Sequence, residues 1–228
     1  MKNYRVQTIE SKIHSAGFIP LDILLVGATG VGKSSTLNAL FGGEIAKVGE
    51  GVDPETMKVV HYQLNDSLRI WDSPGLGDGL VSDKSHAKTI ADNLCQTYTH
   101  DDGQWGFIDL VLVILDGSSR DMGTTYRLLE QIILKNIQPE RVIIAINKAD
   151  MAMSGRFWNK TTNHPEEKLL DFLKNKAVST QKRLCEATSI KTKRPVYYSA
   201  DKGYNISALM DSIINHIPTE KRRLELTP

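Results

Sequence analysis

The 228-residue chain has only two cysteines, Cys95 and Cys185, and neither lies in a metal-ligand spacing. Two thiols are too few for a disulfide framework and fit a reducing cytoplasm. No apolar run approaches the ~20 residues needed to cross a bilayer, so no membrane span is expected. The N-terminus lacks the apolar core of a secretion signal, and a cytoplasmic location follows as the expectation. An excess of charge of one sign is also missing. The 28 Lys and Arg face 27 Asp and Glu, a net charge of +1, which gives no global pull toward nucleic acid or membrane. Lys182, Arg183 and the run Lys191-Thr192-Lys193-Arg194 form a local basic cluster, but without interleaved aromatics they read as a solvated face. Repeats and low-complexity tracts are absent. What remains, 40% apolar and 24% charged residues, is the composition of an α/β domain with a sizeable core.

The most specific feature is Gly27-Ala28-Thr29-Gly30-Val31-Gly32-Lys33-Ser34, a full match to Gly, four residues, Gly-Lys-Ser. Gly27, Gly30 and Gly32 let successive backbone N–H groups turn inward around a phosphate chain, with Val31 and Ser35 in the same cradle. Lys33 supplies a point charge for β- and γ-phosphates, and the Ser34 hydroxyl is placed to hold Mg²⁺. The flanks supply the required context: Leu21 to Val26 is a buried strand pattern, and Ser35 to Phe41 is a helix pattern closed by Gly42-Gly43. The helix N-terminus then points its positive end at the phosphates.

A second signal selects the base. Val142-Ile143-Ile144-Ala145-Ile146 is a strand buried on both faces, followed by Asn147-Lys148-Ala149-Asp150. A carboxylate at Asp150 can accept from guanine N1–H and its 2-amino group. Adenine offers a lone pair at N1 and no 2-amino group, so the same carboxylate would stay partly unpaired.

Between the two lies Asp72-Ser73-Pro74-Gly75, after the strand-like Ser67 to Ile70. Asp72 can hold Mg²⁺ through water, and the N–H of Gly75 can reach a γ-phosphate. Ser-Pro-Gly is also strong turn chemistry, and a phosphate-sensing loop is a turn. Upstream, Gly49 to Thr56 is a polar stretch before the strand-like Met57 to Leu64. Thr56 is selected by position alone as a hydroxyl that closes on Mg²⁺ and the γ-phosphate.

The rest alternates strand and helix, as a doubly wound sheet requires. Met1 to about Ala16 reads as an amphipathic helix stopped by Gly17. Residues 76–83 are glycine-rich and polar, and a helix is expected from about Ser85 to Tyr98. Ile108 to Asp116 is a core strand, and Thr124 to Asn136 a helix. Met151, Met153, Phe157 and Trp158 suggest a flap packed on the sheet edge, or else a partner surface. Pro165 opens a helix to about Cys185. Then come a strand from Pro195 to Ser199, a helix from Ile206 to Ile217, and a segment from Glu220 to Leu226 able to begin another. The expected organisation is a leading helix over 1–20, a nucleotide-binding domain over 21–218, and an extension over 219–228 that reads as cut from a longer protein.

The order of these motifs, from the P-loop through Thr56, Asp72 to Gly75 and Asn147 to Asp150 to Tyr198-Ser199-Ala200, resembles the small GTP-binding proteins, the TRAFAC P-loop GTPases. Gly30 to Leu40 resembles the Era/TrmE/septin-like branch, and Gly49 to Thr56 is similar to the YfjP-type, 50S-ribosome-binding group. The resemblance covers about Leu21 to Ile217. It implies a three-layer Ras-like α/β fold with a mostly parallel six-stranded sheet, helices on both faces and one antiparallel strand. It also implies that Ser199 and Ala200 contact guanine and that Lys148 lies over the base.

Two positions depart from that pattern. Leu76 stands where Ras-like enzymes carry the glutamine that orients the attacking water, so intrinsic hydrolysis should be slow. Gly30 stands where several relatives carry the asparagine that helps hold potassium. The expected function is a switch that binds GTP and GDP with Mg²⁺, with Lys33, Thr56 and Gly75 acting on the γ-phosphate. Two alternatives stay open: an assembly module that dimerises under nucleotide control, and a ribosome- or RNA-particle-associated factor, which the charge does not support.

Overall fold

The computed structural model describes residues 3–18, 20–41, 47–48, 60–75, 80–100, 103–119, 123–188 and 191–223. Helix α1 (Asn3–Ser15) leads into β1 (Leu21–Gly27), α2 (Lys33–Phe41), β2 (Lys47–Val48), β3 (Val60–Asn65) and β4 (Leu68–Asp72). Next come α3 (Leu80–Cys95), β5 (Thr97–His100), β6 (Gly103–Gly106) and β7 (Leu110–Asp116). Helix α4 (Gly123–Leu128) passes through a π-helical turn, Leu129–Ile133, into α5 (Leu134–Asn136). The chain ends in β8 (Val142–Asn147), the short pair β9 (Trp158–Asn159) and β10 (His164–Pro165), α6 (Glu167–Thr188), β11 (Val196–Tyr197) and α7 (Ile206–His216).

The central sheet runs β11-β8-β7-β1-β4-β3-β2. Strands β11, β8, β7, β1 and β4 are parallel, while β3 is antiparallel to β4 and β2 to β3. The expected six strands are therefore corrected to five parallel ones extended by an antiparallel pair. The additional strand is only two residues long, too short to leave a periodic pattern in the sequence.

Alternate side chains of the parallel strands enter two cores. On one face, Leu21, Ile23 and Leu25 meet Ile9 and Ile13 of α1, Leu37 and Leu40 of α2, and Leu209 and Ile213 of α7. On the other, Leu24 and Val26 meet Ile90 and Leu94 of α3, Leu129 and Ile133 of the π-helical turn, and Ala177 and Leu184 of α6. Because both faces are covered, β7 and β8 are apolar up to their last residue and β1 is apolar apart from Asp22, rather than alternating. Helix α1 thus belongs to the same core as the rest. Lys12 also donates to the carbonyl of Ile214 at 3.0 Å.

Two further expectations need correction, and a third, the flap after Asp150, holds. The helix expected from Ser85 to Tyr98 begins at Leu80 and stops at Cys95, and Tyr98 pairs with Trp105 in the β5–β6 hairpin. Residues Glu220 to Arg223 are not helical, and Leu224 to Leu226 lie outside the described residues. The former run extended, with the Arg222 backbone accepting from Gly106 N, and Arg222 donates to the terminal carbonyls Leu94 O and Asn136 O, capping two helix ends. The apolar stretch after Asp150 packs as a flap: Met153, Phe157 and Trp158 lie on Ala149, Ala152, Leu169 and Leu173.

Candidate nucleotide-binding site

The parallel register brings the key residues to one edge. Leu25 of β1 lies opposite Asp72 of β4, Gly27 opposite Ile114 of β7, and Asp116 of β7 opposite Asn147 of β8. All four strands end there, where open α/β sheets place ligand groups. With about 4.8 Å between strands, the ends of β4 and β8 are roughly 14 Å apart.

Gly32 adopts φ +91°, in the left-handed region, and a Cβ there would sit 2.5 Å from the Asn147 amide nitrogen. Only glycine meets both demands. Helix α2 starts directly after it, with Thr36 N and Thr36 Oγ1 both donating to Gly32 O at 2.9 and 2.7 Å. The same hydroxyl is 2.7 Å from the buried Tyr198 hydroxyl. Lys33 folds back over the loop, its ammonium 3.3 Å from Gly27 O.

Asp72 stands at the end of β4 with Oδ1 buried and without a hydrogen-bond partner. Burial raises its carboxyl above the ordinary value, and the Lys33 charge offsets part of that rise. An unsatisfied buried carboxylate oxygen beside a lysine suits a hard cation, and Ser34 at the start of α2 adds a hydroxyl of the same donor class. Ser73 N donates to Leu25 O at 3.1 Å, and a Cβ on Gly75 would lie 2.8 Å from Thr29 Cα and 2.9 Å from Thr29 N. The Asp-Ser-Pro-Gly turn therefore rests directly on the P-loop backbone. Thr56 and Leu76 lie outside the described residues.

At the other end, Asn147 is almost fully buried and joins two loops. Its amide donates to Val31 O at 2.9 Å, and its Oδ1 accepts from Ala200 N at 3.0 Å. Lys148 has φ 59° and donates to Asp116 Oδ2 at 2.8 Å. Burial works to raise the Asp116 carboxyl, but hydrogen bonds from Lys148 and Ser118 outweigh it and hold it below the usual carboxylate range. Lys176 of α6 fixes the loop after β7 by donating to Gly117 O and Ser119 O, both at 2.7 Å.

Asp150 is buried in the turn after β8, its Oδ1 without a hydrogen-bond partner, beside a cavity of about 460 Å³ also lined by Met151, Trp158 and Lys202. A larger cavity, about 760 Å³, lies at the opposite end of the strands and touches none of these residues. Ser199 is fully buried: its N–H donates to Tyr204 O and its Oγ accepts from Lys202 N at 3.1 Å. It supports the Ala200 loop from behind. Among the described residues, no cluster of His, Cys, Asp and Glu could hold a metal on its own, and no helix is long and apolar enough to cross a membrane.

Sequence reasoning missed His86 of α3, whose Nδ1 lies 2.5 Å from Gly75 O. Nothing in the local pattern marks this contact, because eleven residues separate the two.

A family model for 50S ribosome-binding GTPases matches residues 22–148, and one for the elongation factor Tu GTP-binding domain matches residues 104–219. The chain is 32% identical over 157 residues to a probable GTP-binding protein EngB of Streptococcus mutans, covering 68% of this chain and 74% of that protein. It is 28% identical over 131 residues to YfjP of Escherichia coli K12, covering 56% of this chain and 41% of YfjP. Among solved structures, Toc33 from Arabidopsis thaliana superposes with a TM-score of 0.62 at 15% identity, over 97% of this chain and 95% of that one. That last likeness concerns the fold alone.

Proposed function

The chain belongs to the 50S ribosome-binding GTPase family, and from that premise we propose a switch that binds GTP and GDP with Mg²⁺ and hydrolyses GTP slowly. The observation that carries this reading is the buried, unpartnered Oδ1 of Asp150. A carboxylate oxygen left unsatisfied in a protein interior costs stability unless a ligand donates to it. Guanine supplies such donors at N1 and N2, and adenine does not.

Asn147 holds the base-reading turn against the P-loop, and Lys148, fixed by Asp116, borders the base. At the phosphate end the P-loop amides and Lys33 bind and orient the triphosphate. Ser34 and Asp72 would hold Mg²⁺, which when bound neutralises charge on the β- and γ-phosphates. Gly75 and Thr56 sense the γ-phosphate, so GTP orders their loops and hydrolysis releases them. With Leu76 at the position of the water-orienting glutamine, the chain lacks that hydrogen-bonding group and turnover is slow. The two unpaired thiols fit a protein working in the cytoplasm.

Titration calorimetry with Mg²⁺ tests the reading: GDP and GTP bind, and ATP binds at least about a hundredfold more weakly. Equal binding of ATP and GTP would remove it. The family's description makes a large ribosomal particle the first partner to test, by salt-sensitive, GTP-dependent cosedimentation. Turnover that instead rises with protein concentration would assign the protein to nucleotide-controlled dimerisation.

A further inference from the structure

The Asp-Ser-Pro-Gly turn is held at three points. Ser73 N donates to Leu25 O, Gly75 rests on the backbone of Thr29, and His86 reaches Gly75 O at 2.5 Å. The first two contacts tie the turn to β1 and the P-loop. The third ties it to α3, the helix that follows in the chain. A carbonyl oxygen can only accept, so His86 Nδ1 carries the proton and donates. Glycine has no side chain to limit its backbone, so an external hydrogen bond on its carbonyl restricts an otherwise permissive residue.

We infer that His86 is a positioning residue for nucleotide sensing: by holding Gly75 O it sets the orientation in which Gly75 meets a γ-phosphate, and it couples that loop to α3. This inference rests on the guanine-nucleotide switch proposed above. It makes His86 act on GTP and not on GDP, because only GTP presents a γ-phosphate to Gly75. The residue itself touches neither base nor metal; its effect runs through the Gly75 carbonyl.

Three variants separate this role from simple packing. His86→Ala removes the donor and the ring, and His86→Phe keeps a ring without the donor. His86→Asn places an amide N–H where Nδ1 stands, one bond beyond Cγ. Calorimetry with GDP and with a non-hydrolysable GTP analogue, together with single-turnover hydrolysis of GTP, gives the readout. The Ala and Phe variants should bind GDP within about twofold of the parent. They should bind the GTP analogue about fivefold to tenfold more weakly and hydrolyse GTP more slowly by a similar factor, the effect of losing one oriented hydrogen bond. His86→Asn should recover most of both losses. A parent protein that binds no guanine nucleotide removes the underlying reading, and the inference with it. If the parent binds both nucleotides, two results overturn the role of His86 alone: GDP and analogue affinities that fall together, or an Asn variant no better than the Phe variant.

Discussion

The side-chain amide of Asn147 donates to the carbonyl of Val31 at 2.9 Å, so the strand end that carries the base-reading turn is tied to the middle of the phosphate loop. The other side-chain atom, Oδ1, accepts from Ala200 N. One buried residue therefore fixes three loops against one another. It also explains why position 32 must be glycine, since any Cβ there would collide with this amide.

Asn147→Ala should strand Val31 O and Ala200 N in a buried setting at a cost of about 1–3 kcal/mol. Denaturant unfolding measures that loss. Because the residue holds the loops without choosing between nucleotides, affinities for GDP and GTP should fall by similar factors in calorimetry. A selective loss of one nucleotide would contradict this placement.

A buried charge cluster at the far end of the sheet gives a pH prediction. Asp22 accepts two hydrogen bonds from Arg69, each 2.8 Å, and one from Trp71, and its N–H donates to Asp109 Oδ2. Burial pushes the Asp109 carboxyl up to about 8; the nearby Asp22 charge adds to the rise, while the Asp22 N–H, Arg141 and Arg222 oppose it. A carboxyl with a raised folded pKa keeps in the native state a proton that the unfolded chain loses. Its contribution to stability is therefore lost as pH climbs from the ordinary carboxylate range toward 8. Asp109→Asn cannot ionise and should flatten that slope. It should melt at least about 3 °C above the parent at pH 9, with the gap closing toward pH 5. Parallel melting curves across this range would exclude Asp109 as the titrating group.

Much of this molecule was legible in the chain because the decisive signals are local. The P-loop carries its full glycine, lysine and serine pattern, while β8 and β1 (apolar apart from Asp22) are strand runs that end in Asn-Lys-x-Asp chemistry and in glycine, and burial of those strands on both faces leaves little room for ambiguity. The β5–β6 hairpin was harder. Tyr98 follows directly on a helical pattern, and the pairing of Tyr98 with Trp105 is what ends the helix at Cys95. Arg222 misled for the opposite reason. Lys, Arg and Glu around it favour a helix locally, but its guanidinium is worth more on the open carbonyls of Leu94 and Asn136, more than eighty residues away. The long-range polar contacts, Asp22 with Arg69 and His86 with Gly75, leave no periodic trace.

The account turns on Asp150 as the group that reads the base, and the Asp150→Asn variant tests it most directly. An amide at this position can donate to the C2 carbonyl of xanthine where the carboxylate accepts from guanine. Calorimetry with GTP and with xanthosine triphosphate should show the parent preferring GTP. The variant should reverse that order, its GTP affinity falling at least about tenfold while its xanthosine triphosphate affinity rises. An unchanged preference for GTP in a folded Asp150→Asn protein would contradict the assignment.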